Sequence, residues 1–551
     1  MRSPRLCSIR AGGPSAVALT TLLACAASAP AGAPPRAGVP EWIDSTVCYE
    51  VFVRSFQDSD GDGIGDLRGL ISRLDYINDG SAGTQRDLGA GCIWLMPVAQ
   101  SPSYHGYDVA NYYTVDPDYG TNEDFRLLVS EAHRRGIRVL VDMVLNHISS
   151  DHPAFQAALH DTTTPFRSWF RFLPEHPGVR NPWGGDNWHR SPVRDEYYYG
   201  FFWHGMPDLN LENPAVREEA KRIATYWLED MGADGFRLDA IKYLIEDGED
   251  IQDTPGTHEF LREYAAHVRR VSPDAFTVGE VWDSTGVVMQ YYPDQLDAYF
   301  AFEVADSIVA AVRSGSARGL LDPVLRLQRA LPRNRFATFV RNHDQTRTMT
   351  ALDGDVRSAK LTAAILLTLP GVPFIYYGEE IGMTGDKPDE RIRTPMQWNA
   401  QPGAGFTRGS PWQPLQADSL RTHVAAQDDD PGSLLNLNRR LIHLRASNRA
   451  LGVGELIPLR TASDAMTAWL RRDGAGLVLF VGNLADTVTA GTTLDGAHTA
   501  LRAGTYDARD LLTGRAAAPV VVSEDGRIER YVPFAEMSAK DFVLLELTRR
   551  Q

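Results

Sequence analysis

The sequence predicts an α/β protein: a (β/α)₈ (TIM) barrel with an excursion domain after strand 3 and a C-terminal all-β sandwich domain. Short apolar runs alternate with helical patterns from Val47 to about residue 451. One long, aromatic, turn-rich segment interrupts that rhythm between the third and fourth runs. Beyond Gly452 the helical patterns stop and short strands alternate with turns.

The N-terminal stretch stands apart from this pattern. Arg2, Arg5 and Arg10 precede an apolar run, AVALTTLLA (16–24), in the form of an export signal. LLAC (22–25) resembles a bacterial lipobox. In such signals the cysteine, here Cys25, becomes the lipidated first residue. Residues 1–25 are therefore expected to be a signal with lipobox, and 26–40, rich in Pro, Ala and Gly, a flexible tether. The expected location is a membrane face toward the periplasm or exterior, reached only through the lipid anchor. No later segment has the ~18 consecutive apolar residues of a spanning helix.

The eight runs are 47–56, 91–98, 137–147, 235–241, 275–282, 296–303, 335–344 and 371–380. Helical patterns such as NEDFRLLVSEAHRRG (122–136) and PAVREEAKRIATYWLEDMG (214–232) lie between them. Near-continuous apolar strands separated by helices argue for a parallel sheet covered on both faces. Eight units fit a closed barrel over 41–147 and 211–451. A doubly wound open sheet is the alternative, but no GxGxxG turn follows the first run. Residues 148–210 are too long for a structureless loop in a compact domain and read as the excursion. Residues 381–432 form a second irregular insertion, 433–448 a last barrel helix, and 452–551 the all-β domain.

The formal net charge is -16 over 551 residues, which disfavours nucleic acid or an anionic membrane surface as partner. The protein is expected to be a monomer. Four cysteines occur. Cys7 falls in the signal. Cys48 and Cys92 sit in apolar runs and read as buried free thiols, although export would permit a bond between them. No Cys/His spacing suits zinc.

Charges at the ends of apolar runs carry the chemistry. In GADGFRLDAIKYL (232–244), Arg237 and Asp239 are two apart and share one face of a strand. Charged groups are rarely buried unless paired, so the two are read as compensating each other. Glu280 closes the fifth run, Asp344 and His343 the seventh, and His147 the third. In a barrel such strand ends converge on one mouth, where active sites of this fold sit.

DMVLNH (142–147), GFRLDAIKY (235–243), GEVW (279–282) and FVRNHD (339–344) resemble, in order, the four signature regions of the α-amylase superfamily, glycoside hydrolase family 13. MPDLN (206–210) resembles its fifth region and HGYD (105–108) a further sugar-site motif. The resemblance implies that Asp239 is the nucleophile of a covalent glycosyl-enzyme intermediate. It implies Glu280 as general acid/base and Asp344 as the carboxylate that holds sugar hydroxyls. A retaining glycosidase needs two carboxyls about 5–5.5 Å apart, one ionised and one protonated. Arg237 can keep Asp239 ionised, and crowded acids raise the pKa of a neighbour.

The resemblance also makes His147 and His343 sugar-hydroxyl donors and Tyr107 an aromatic platform under the sugar. Arg347 either orients Asp344 or is a surface arginine. Lys242, on the leaving-group side, and Ala240 resemble members acting on α-1,4 bonds. The implied activity is retaining hydrolysis of α-1,4-glucosidic bonds in starch-like α-glucans and maltooligosaccharides. MPDLN mixes oligo-1,6-glucosidase-like and neopullulanase-like forms, so an intermediate placement is implied. RTPMQWNAQPGAGF (393–406) leans toward oligo-glucosidase and trehalose-synthase relatives. An exo-acting α-glucosidase or oligo-1,6-glucosidase, or a transglycosylase or trehalose synthase, is the near alternative.

DSDGDGIGD (58–66) alternates carboxylates with glycines, an oxygen-rich loop suited to Ca²⁺. Candidate ligands are Asp58, Asp60, Asp62, Asp66 and the Ile64 carbonyl. It is not a complete EF-hand, because position twelve is Gly69 rather than Glu. The loop also resembles a calcium site of oligo-1,6-glucosidase-like members, which implies a structural ion.

Overall fold

The structure is a computed structural model describing residues 39–550, except Ala82, Pro182 and His498. The expected signal, the lipobox Cys25 and the tether up to residue 38 lie outside the described residues.

Each apolar run contains one parallel strand: β1 Cys48–Val51, β2 Cys92–Leu95, β3 Arg138–Met143, β4 Gly235–Leu238, β5 Phe276–Gly279, β6 Ala298–Tyr299, β7 Ala337–Thr338 and β8 Val372–Tyr376. They pair in the order β6-β5-β4-β3-β2-β1-β8-β7. Phe300, next after β6, bridges in parallel to Ala337 of β7 and closes the ring. β1, β2, β4, β5 and β8 are buried along their whole length, as a sheet covered on both faces requires.

The helices outside the ring form for local reasons. Helix α1, Asn122–Arg134, starts at a reciprocal Thr121–Asp124 capping box, which satisfies amides at its first turn. It buries Phe125, Leu128, Val129 and Ala132, the spacing of a single helical face. Helix α2, Pro214–Thr225, is capped by the Asn213 side chain and buries Val216, Ala220, Ile223 and Ala224.

Large side chains fill the barrel interior, among them Trp94, Leu140, Phe276, Phe300 and Phe374. Cys48 and Cys92 belong to the same cluster. They are bonded to each other, which corrects the expectation of free thiols. Parallel register places them directly opposite on β1 and β2, with Cα atoms 4.3 Å apart. That register is a tertiary property with no signature in the two local sequences.

The excursion carries helix Pro153–His160 and a three-stranded antiparallel sheet, Phe172–Leu173, Trp188–Arg190 and Tyr197–Tyr199. Its two ends lie side by side. The Ile148 amide donates to the Pro207 carbonyl (3.1 Å), and the Leu209 amide to the Asn146 carbonyl (2.8 Å). The insertion therefore hangs from the C-terminal end of β3.

The C-terminal all-β domain pairs Glu455–Thr461, Met466–Asp473, Gly476–Asn483, Leu494–Gly496, Gly504–Asp510, Ala516–Val522, Ile528–Tyr531 and Asp541–Arg549 into one closed antiparallel ladder. It has its own apolar core, including Leu470, Leu479, Val520 and Leu545. Buried Arg471 donates to the Thr368 carbonyl at the end of a barrel helix and so ties the domain to the barrel.

Candidate active site

Arg237, only 1% exposed on β4, organises the mouth of the barrel. Its Nη1 lies 2.9 Å from Asp142 and 2.7 Å from Asp239, and its Nη2 lies 2.8 Å from Glu280. One guanidinium thus joins carboxylates from the ends of β3, β4 and β5. Its planar fork can hold several acceptors at once, which an ammonium cannot. Trp94 packs with its ring centroid 5.1 Å from the same guanidinium.

The backbone turns sharply after Asp239. Ala240 adopts φ 47°, a left-handed conformation that a residue with a Cβ rarely takes. The turn aims the Ala240 amide at Glu280, whose carboxylate accepts from it at 3.1 Å. Strain of this kind persists where surrounding structure over-determines it, and it clusters at functional sites.

Electrostatics separates the acids. Burial is the largest influence on Glu280 and raises its pKa; negative charge on Asp239 and Asp344 adds to this, and Arg237 opposes it. Asp142 is pushed up to about 7, first by burial and then by Asp239, with Arg237 again opposing. Asp344 goes the other way. Burial works against its charge, but His343, Arg393 and Arg237 outweigh burial and hold it well below the usual carboxylate range.

His343 is fully buried, and both ring nitrogens are engaged. Nδ1 lies 2.6 Å from Glu50 of β1, while Nε2 lies 3.2 Å from Asp344 and 2.6 Å from the Tyr107 hydroxyl. Burial disfavours the imidazolium, yet Asp344 and Glu50 lift His343 to about 10. Its stabilising contribution is complete below the unfolded value of about 6.5 and is lost as pH rises through about 10. Urea unfolding between pH 7 and pH 10 should show falling stability, with a shallower slope in His343→Gln. Equal slopes would refute the charged assignment.

Tyr107 stacks on His343 at 5.5 Å and 14° and donates to Asp142 at 3.0 Å. The cavity measures about 670 Å³ and is lined by Tyr107, His147, Asp239, Lys242, Glu280 and Asp344 among others. His147 is buried, and its Nε2 has no hydrogen-bond partner among the described residues, which leaves it free for a ligand. Lys242 is held by Asp283 at 2.7 Å.

Arg347 does not contact Asp344 in this way. It is fully buried and donates to the Ile392 and Tyr377 carbonyls, with Glu379 at 3.4 Å. Neither reading of Arg347, orienting or surface, fits this placement. Arg393 takes the orienting position instead, donating to Asp344 at 2.8 Å and to the His343 carbonyl at 3.0 Å. It lies in RTPMQW, a stretch read above only for its subfamily flavour. Asp142 and Glu50 were also missed. Each is a charge inside an apolar strand, the same signal that singled out Arg237.

In the acidic loop, carboxylate oxygens of Asp58, Asp60 and Asp66 come within 4.8 Å of one another. Asp58 accepts from the Asp60, Gly61 and Gly63 amides and from the Thr407 hydroxyl. Gly61 and Gly63 turn those amides inward with φ of 95° and 97°, which glycine adopts without penalty. Asp62 lies outside the cluster and accepts from the Ile64 amide at 2.7 Å.

The family model described as "Alpha amylase, catalytic domain" matches residues 50–454. Alpha-amylase 3 of Dictyoglomus thermophilum is 39% identical over 436 residues, covering 78% of this chain and 82% of that protein. Trehalose synthase/amylase TreS of Mycobacterium tuberculosis is 34% identical over 505 residues, covering 81% and 82%. The crystal structure of an alpha-amylase from H. orenii superposes with a TM-score of 0.78 at 37% identity, covering 91% of this chain and 99% of that one. Signature regions, barrel topology and these matches agree: the chain belongs to the α-amylase family and is a glycoside hydrolase of that type.

Proposed function

We propose that this protein is a retaining hydrolase of α-1,4-glucosidic bonds in starch-like α-glucans and maltooligosaccharides. The observation that carries the reading is the shared Arg237, which brings Asp239 and Glu280 onto one guanidinium. Inverting enzymes need the two carboxyls about 6.5–9.5 Å apart to admit a water, whereas a closely held pair suits retention.

Asp239 attacks the anomeric carbon and bonds to it. The glycosidic C–O bond breaks, and the leaving oxygen takes the proton of Glu280. The Glu280 carboxylate then removes a proton from water, whose oxygen displaces Asp239 and restores both groups. Asp344, fixed by His343 and Arg393, accepts from sugar hydroxyls, and His147 Nε2 donates to one. Tyr107 lines the same pocket.

A second reading is transfer to a sugar acceptor rather than water. It is favoured by two exposed indoles lining the cavity, Trp183 at 64% and Trp282 at 49% exposure, whose faces suit a pyranose. Product analysis on maltoheptaose, isomaltose, trehalose and pullulan tests both readings. Internal cleavage of maltoheptaose supports hydrolysis of α-1,4 chains, longer oligosaccharides support transfer, and inert maltoheptaose refutes the proposal.

The Asp58–Asp66 loop fits Ca²⁺. Its donors are hard oxygens, and three carboxylates at this separation repel one another without a cation. Asp58, Asp60 and Asp66 would hold the ion, which would neutralise the loop and take no part in bond cleavage. Excess EDTA should lower the melting temperature by several degrees, and added Ca²⁺ should restore it; an unchanged melt refutes the site. Export as a lipoprotein through Cys25 is the reading of the N-terminus. A fatty-acid label lost in Cys25→Ser would support it, and an equally labelled variant would refute it.

A further inference from the structure

A second cavity, also about 670 Å³, opens between the excursion and helix α2. This volume is within the range of small-molecule sites. The two cavities share a wall: Leu145 and Ile148 line the second, while His147 between them lines the catalytic one. No residue named in the catalytic chemistry faces the second cavity.

Its lining has a definite chemistry. Tyr113 is 37% exposed and is backed edge-on by Tyr226 at 5.1 Å. Phe166 and Trp169 sit on the short helix Pro165–Trp169, which buries none of its residues. Their rings meet edge to face at 5.0 Å. Phe166 and Trp169 are half-buried, with one side packed against the barrel's apolar core, and both line the cavity. Around them stand hydrogen-bonding groups. Glu219 accepts from the Tyr113 hydroxyl at 2.8 Å and is paired with Arg222, which removes most of its net charge. Burial keeps the His152 ring neutral at neutral pH.

Flat apolar rings with a polar rim of Asp151, Glu219 and Arg222 suit a ligand with apolar faces and hydroxyl edges. An anionic ligand would meet one carboxylate in excess, and a purely apolar one would strand the rim groups. We propose that this cavity is a second α-glucan-binding site, in which Tyr113 and Trp169 stack on glucose units. The inference rests on the α-glucan reading above. Its role is to hold long chains near the catalytic mouth, while a short oligosaccharide needs the catalytic cavity alone.

The test titrates maltoheptaose into the full chain carrying Glu280→Gln, which slows turnover during the measurement. Two sites are expected. Tyr113→Ala with Trp169→Ala should leave one, or weaken the second by about tenfold, the loss expected for an aromatic contact. In the otherwise unsubstituted chain the same pair should raise KM for soluble starch several-fold and leave maltotriose hydrolysis unchanged. If the double variant unfolds, Tyr113→Ala alone suffices, because Tyr113 is 37% exposed and the hydrogen bonds that Tyr226 and Asn122 donate to it go to its carbonyl, which the substitution keeps. One site in both backgrounds overturns this inference and leaves the α-glucan reading standing. No binding in either background overturns that reading as well. Equal losses on maltotriose and starch also overturn a separate site.

Discussion

Glu280→Gln should fold normally and lose at least about 10²–10⁴ in kcat, the range that a positioned general acid supplies. The substitution is nearly isosteric, and the amide oxygen can still accept from the Ala240 N–H. It cannot release a proton to the leaving oxygen. The raised pKa of Glu280 makes the same point in the parent protein. The proposed first step needs its proton, so activity on unactivated glucosides should fall as pH rises through that elevated value. An α-glucosyl donor with an acidic leaving group, such as a fluoride, needs little protonation. That donor should still glycosylate Glu280→Gln, giving a burst followed by slow turnover. A variant that hydrolyses maltooligosaccharides at the parent rate would remove Glu280 from the chemistry.

Arg237→Leu should be the most destabilising single change in the barrel mouth. It strands Asp142, Asp239 and Glu280 without the cation that all three share. Breaking a buried ion pair by removing one partner typically costs about 3–5 kcal/mol. Urea unfolding at pH 7 measures this directly. The sign of the pH dependence follows. Without Arg237 the folded-state pKa values of Asp142 and Glu280 rise, because Arg237 opposes their burial in the parent, so the penalty shrinks as pH falls and these two become neutral. Arg237→Lys should rescue only part, since one ammonium cannot span acceptors placed on two separate nitrogens. Parent-like stability of Arg237→Leu at pH 7 would mean that the three acids are solvated by something other than this guanidinium.

Much of the architecture was legible because its signals are local. All eight barrel strands fall inside apolar runs visible in the chain, since burial on both faces demands continuous apolar residues. Arg237 was legible for the opposite reason, as a charge where apolar residues are the rule. Asp142 and Glu50 carried the same signal, one inside a motif valued for its histidine and the other in the first strand. Both proved to be partners of groups already chosen, Arg237 and His343.

Arg347 and Arg393 mark the limit of that reasoning. Arg347 is three residues from Asp344, and Arg393 is distant in sequence. Loop geometry turns Arg347 toward main-chain carbonyls and brings Arg393 onto the carboxylate. The same holds for Cys48 and Cys92, which were compatible with free thiols until register set them opposite each other.

The amino-acid order alone determined the barrel, its interruption and the residue types at each strand end, because periodicity and burial act over a few neighbours. Only the tertiary structure decided which acids share Arg237, which arginine holds Asp344, which thiols pair and where a second cavity opens. Those outcomes depend on distances between segments tens of residues apart, set by ring closure and strand register rather than by any local pattern.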